Sequence, residues 1–162
     1  MQKTWVRILT TVLTLSVMAM IFFFSTEEAE QSDQTSGTIT KQVLEITNPG
    51  YEKMPEPEKT ELYNSTQTIV RKVAHFTEFG LLGFSLRFCL ESWLGSRRKR
   101  LGPAAFLCGA GYAGLDELHQ TLVDGRAGQW RDVGIDSSGV LAGVLAAAVI
   151  LIWVKKKMNH GG

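Results

Sequence analysis

Net charge is almost absent from this chain. Lys and Arg number 17 against 16 Asp and Glu, a formal +1 at pH 7. The net value says nothing about a partner, and its distribution says more: the basic clusters lie beside apolar runs, and no nucleic-acid partner is expected. Cysteine is scarce: Cys89 and Cys108 are the only two. Both sit inside apolar runs and read as buried small hydrophobes, not as a disulfide. Three of the four prolines fall at positions 49, 55 and 57, so few breakers interrupt the rest of the chain. There is no internal repeat, no low-complexity tract, no short zinc signature and no nucleophile in a motif context. At 162 residues the chain reads as one domain, residues 1–162.

Apolar runs bordered by basic clusters are what it does have. The mean hydropathy of +0.02 is too low for a chain that is all membrane, and fits apolar spans plus a polar loop. Residues 5–24 (WVRILTTVLTLSVMAMIFFF) have the roughly 20-residue length of a span. A signal peptide is the rival reading, but the run is long for one and no small-x-small cleavage site follows. Residues 73–94, 101–118 and 133–154 read as three further spans. Residues 25–72 form a polar, acidic outer loop. Within it, 25–37 (STEEAEQSDQTSG) reads as loop or a short frayed helix. Ile39, Val43 and Ile46 recur at helical spacing until Asn48-Pro49-Gly50. Leu62, Ile69, Val73 and Phe76 form one stripe, which predicts a helix starting near Thr60 and running unbroken into the second span. Arg87 and Glu91, one turn apart, are placed to pair near its inner end.

The expected fold is therefore all-α: a polytopic membrane bundle of four transmembrane helices with an outer interfacial helical loop. Lys3 and Arg7, residues 97–100 (RRKR) and residues 155–157 (KKK) all fall on one side under four crossings. By the positive-inside rule that side is cytoplasmic, as are both termini. A soluble helical bundle is the competing architecture, and it leaves those basic brackets without a reason.

The stretch 114–139 (GLDELHQTLVDGRAGQWRDVGIDSSG) concentrates ionisable groups between two apolar segments. Such groups near a membrane are costly and need partners. A rise of about 1.5 Å per residue puts Glu78, Gln120 and Asp136 each about 28 Å above the cytoplasmic ends of their spans. They share one layer near the outer face, with Asp116 about one turn deeper. Gly109, Ala113, Gly139 and Gly143 mark the faces where helices meet. Asp116, Glu117 and His119 are the candidates for acid–base chemistry. His75, Glu78, Gln120, Arg126, Asp132 and Asp136 are the candidate ligand-binding set, with Arg126 fit to hold an anionic group or to neutralise Asp116 or Asp132. A purely structural polar network is the bland reading of the same residues. His75, Glu78, Asp116, His119 and Asp136 have metal-ligand chemistry, but their spacing gives no expectation of a metal site. No cofactor is indicated.

These residues carry a resemblance. FSTEEAEQSDQTSG after the first span, RKVAHFTEFGLLG entering the second and GLDELHQTLVDGRAGQWRDVGIDSSGVLAG resemble the VanZ-like membrane proteins, a bacterial family linked to teicoplanin resistance. The resemblance covers nearly the whole chain. It singles out Lys72, His75, Glu78, Asp116, Glu117, His119, Gln120, Arg126, Asp132, Asp136 and Gly139. Phe79 stands where many relatives have Tyr, and Val123-Asp124-Gly125 where Val-Pro-Gly is usual. It implies a multi-pass cell-membrane protein of the envelope with a role in teicoplanin or lipoglycopeptide tolerance. The expected partners are the lipid bilayer and an amphiphilic antibiotic or envelope lipid. It supplies no reaction. An enzyme acting on a lipid or lipid-linked envelope substrate, and a non-catalytic accessory subunit of an envelope protein, remain the alternatives.

Overall fold

The structure is a computed structural model that describes residues 4–26, 29–95, 100–123 and 128–160. It is all-helical, with no strand among the described residues. The order is α1 (Thr4–Thr26), α2 (Ala29–Thr47), a 3-10 turn (Tyr51–Lys53), α3 (Glu56–Leu94), α4 (Leu101–Gln120) and α5 (Trp130–His160).

Local chemistry sets these limits. Pro49 follows α2 within two residues and cannot continue it. α3 starts behind Pro55, with another proline in its first turn, where the missing N–H leaves no bond unmade. Glu56 and Glu58 in that turn complement the helix dipole. α3 then runs without a break to Gly95, whose φ of 76° ends it. The polar 25–37 stretch differs from its loop reading, because α2 begins at Ala29. Its later residues explain why: Leu44, Thr40 and Gly37 pack inward, and Gln67 of α3 donates to Ser36 at 3.3 Å. Ile39 and Ile46 point away from this packing and are exposed.

α3 packs most extensively on α5, and the two run in the same direction, since Phe76 meets Gly139 and Gly80 meets Gly143. Glycine makes this possible. A Cβ added at Gly139 would run into the Phe76 carbonyl, and one at Gly143 into the Gly80 carbonyl. On α3, a Cβ at Gly83 would meet the Val140 carbonyl. The Val140 side chain in turn fills the notch left by Gly109 of α4. Backbone thus touches backbone along α3 and α5, and α4 is keyed in through one valine. Around this contact lies the core: Ile21, Phe79, Leu82, Ala105, Ala113, Val140 and Val144.

One end of the bundle gathers the start of α1 and the ends of α3 and α5. Arg7 donates from Nε to the Ser92 carbonyl at 3.2 Å and lies 5.4 Å from the Trp93 ring centre. Buried Glu91 accepts from Arg87 at 2.6 Å, as its spacing predicts, and from Lys155 at 2.9 Å. Cys89 and Cys108 are free thiols; Cys108 is exposed rather than buried, since its face of α4 points outward.

Two helices are by themselves long and apolar enough to cross a membrane, at Thr4–Ser25 and Trp130–Met158. α3 and α4 are not among them. His75, Glu78, Arg87 and Glu91 lower the apolarity of α3, and Asp116 and Glu117 that of α4.

The glycine contact makes a sharp contrast between two positions. Gly143→Ala should lower stability by about 1–3 kcal/mol, the usual range for overpacking. Gly111→Ala, where nothing lies within 4 Å of an added Cβ, should be neutral or slightly stabilising because alanine favours the helix. Thermal unfolding of both variants in one detergent checks this; equal midpoints would mean that α3 and α5 do not meet at Gly143.

Candidate functional site

Three helices bring the polar residues together at the end of the bundle opposite Arg7 and Lys155. α3 contributes Lys72 and His75, α4 contributes Asp116, Glu117 and Gln120, and α5 contributes Asp132 and Asp136. The ligand atoms of His75, Asp116 and Asp136 all lie within 4.8 Å of one another. His75 Nδ1 is 4.0 Å from Asp136 Oδ1. The fold forces this meeting. Gly139 sits on the Phe76 carbonyl, so the residue before Phe76 faces the residue one turn before Gly139.

The two carboxylates of α5 have different surroundings. Asp132 is half-buried and accepts from Lys72 Nζ at 2.9 Å. Asp136 is fully buried, and no hydrogen-bond donor among the described residues reaches either of its oxygens. A buried carboxylate in that condition is costly. Asp116 is also buried; its Oδ2 accepts from Gln120 Nε2 at 2.9 Å. No cation pairs with Asp116 among the described residues. Arg126, the cation expected at Asp116 or Asp132, lies outside the described residues, and Lys72 fills that place at Asp132.

Glu117 turns inward as well. Its Oε1 accepts the backbone N–H of Gln129, which ties the end of α4 to the approach to α5. Gly128 lets the chain come this close, since a Cβ there would meet Thr121 and the Glu117 carbonyl. His119 lies to one side, with its ring 4.9 Å from Phe22 of α1 and its Nδ1 buried without a hydrogen-bond partner among the described residues. Glu78 is half-buried one turn along α3 from His75. The structure therefore brings His75, Asp116, Asp136 and Gln120 into one cluster and sets Lys72 with Asp132 beside it. His119 packs instead on α1.

Two contributions were not read from the sequence. Gly80 and Gly83, which admit α5, are spaced by three and form no GxxxG step, although their place in the RKVAHFTEFGLLG block was a signal. The Phe22–His119 contact joins residues far apart in the chain and left no local signal.

Chemically, the cluster can accept hydrogen bonds, hold a positive charge or exchange a proton. The VanZ/LLP1 family model matches residues 10–152, which include every residue of the cluster. No curated protein and no solved structure matches the chain.

The role of Glu117 as a tie gives a direct test. Glu117→Gln keeps an acceptor for Gln129 and should leave stability nearly unchanged. Glu117→Ala leaves that N–H without its acceptor and should cost about 1–3 kcal/mol. Thermal unfolding of the pair measures the difference; identical losses would show that the Gln129 bond contributes nothing.

Proposed function

The chain belongs to the VanZ/LLP1 family, and from that premise we propose that it is a four-span protein of the bacterial cell membrane. In this reading it contributes to tolerance of teicoplanin-type lipoglycopeptides through the His75–Asp116–Asp136 cluster at the outer face. One observation carries the proposal: the ionisable residues of α3 beyond Val73, and those of α4, are buried or half-buried in the bundle, while the outer faces of these stretches carry exposed leucines. Asp116, Glu117, Gln120 and Glu91 are buried, whereas Leu81, Leu107, Leu115 and Leu118 are exposed. That is the pattern of helices whose solvent is lipid. The two most apolar helices support it too. Only 17% of the apolar window in α1 and 22% of that in α5 is buried, whereas the core helix of a soluble protein would be mostly covered.

The ends fit the same frame. Trp5, Trp93 and Trp153 are exposed at the end that carries Arg7, Arg100 and Lys155, and Trp130 is exposed at the other. Tryptophan favours both membrane interfaces, and basic residues favour the cytoplasmic side. The cluster is then at headgroup depth on the outer side. α2 and the first turns of α3 form the outer interfacial layer. His75, with 25% of its side chain exposed against 2% for Asp136, is the accessible edge of the site. The occupant in this reading is an amphiphile with a polar headgroup, either the antibiotic or an envelope lipid. Asp116, Glu117 and His119 remain the groups through which turnover would occur.

Reporter fusions test the topology: positions 50 and 128 should report outside, and 99 and 159 inside. A cytoplasmic signal at 128 would remove the cluster from the outer leaflet.

Asp116→Asn tests the function. Asparagine keeps the shape and an acceptor for Gln120, so stability should change by less than about 1.5 kcal/mol. Teicoplanin tolerance should fall to that of a strain lacking the gene. Membrane abundance and thermal stability are measured beside susceptibility in the same strain. A variant of normal abundance with full tolerance would end the functional reading of Asp116.

A further inference from the structure

We propose that His75, Asp116 and Asp136 bind one divalent cation of the zinc–manganese class. The inference deepens the site reading above and rests on it. Three donors from three helices, one imidazole nitrogen and two carboxylates, lie within 4.8 Å of one another. Donors about 2.0–2.2 Å from a zinc ion lie within about 4 Å of each other, so side-chain rotations that close roughly 1 Å complete the set. The independent observation is Asp136. It is fully buried on a helix locked by glycine contacts, and both of its oxygens lack a hydrogen-bond donor among the described residues. Lys72 is engaged with Asp132.

Charge decides the class of ligand. Two carboxylates this close in a low-dielectric interior repel, and a divalent cation makes the group neutral. An imidazole with two carboxylates suits zinc or manganese better than calcium, which takes six or more oxygens. The surroundings match those of a metal ligand: Gln120 donates to Asp116 at 2.9 Å and fixes its orientation, as outer partners of ligating carboxylates do. Three protein donors leave at least one coordination position, on the exposed His75 side, for a headgroup oxygen.

The test titrates EDTA-treated full-length protein in detergent with zinc chloride, manganese chloride and magnesium chloride in separate calorimetric runs. One equivalent of zinc or manganese should saturate and raise the thermal midpoint, with magnesium much weaker. His75→Gln, Asp116→Asn and Asp136→Asn should each weaken binding by at least about tenfold at unchanged helicity. Glu52→Gln, on an exposed acidic residue, should not. Saturation absent in the wild-type protein overturns the proposal, whether or not the variants fold. Wild-type affinity in all three variants also overturns it, because the ion then sits elsewhere, His119 included. Cobalt absorption of the wild-type protein adds a second reading: bands of nitrogen–oxygen coordination support the site, and their absence counts against it. The outcomes separate the two proposals. Ion binding with tolerance intact in Asp116→Asn keeps the metal and removes the antibiotic role. Tolerance lost without ion binding does the reverse.

Discussion

The backbone contact between α3 and α5 is the constraint on which the rest depends. Two parallel helices can approach this closely only where one presents no side chain, and Gly139 and Gly143 meet that condition against Phe76 and Gly80. The packing gained there is dispersion between close-packed atoms, which a gap of an ångström largely forfeits. The contact also sets register. With Phe76 on Gly139 and Gly80 on Gly143, Lys72 reaches Asp132, His75 reaches Asp136, and at the far end Glu91 reaches Lys155. The cluster and the ion network at Glu91 are both consequences of one register.

That register gives the two α5 carboxylates different fates. Asp132 and Asp136 lie one turn apart on the same helix face. Asp132 finds a lysine and keeps part of its hydration; Asp136, among the described residues, has the buried Asp116 carboxylate and the His75 imidazole as its nearest ligating neighbours. A network evolved for stability alone would place the cation where the dielectric is lowest, since an unpaired charge costs most there. Among the described residues the order is reversed, and the proposed site rests on that reversal.

Much of this was legible in the sequence. Apolar runs with basic brackets announced helices, and the stripe from Leu62 to Phe76 announced one unbroken helix into the second span, although it was expected to start near Thr60 and starts at Glu56, behind Pro55. The limits are equally specific. Residues 25–37 lack apolar periodicity, so a helix from Ala29 could not be told from a loop. The partner of Asp132 lies 60 residues away, and the partner of Glu117 is a backbone N–H, which composition does not encode. Gly80 and Gly83 gain meaning only when α5 is laid across them.

The shortfall of α3 and α4 as apolar spans and the presence of the cluster have one cause. A helix that is apolar on every side is ready for lipid but offers the bundle interior nothing except packing. α3 and α4 place Glu91, Asp116, Glu117 and Gln120 inward while leaving leucines outside. Their mean hydropathy falls because the average mixes two faces that meet different surroundings. In the proposed four-span reading, the residues that lower this average are the same ones that build the site. In that reading such a helix would be held in lipid by its outer face and by its neighbours' donors and acceptors. α4 is joined to its neighbours in this way, keyed to α5 at Val140 and tied to the approach to α5 by Glu117.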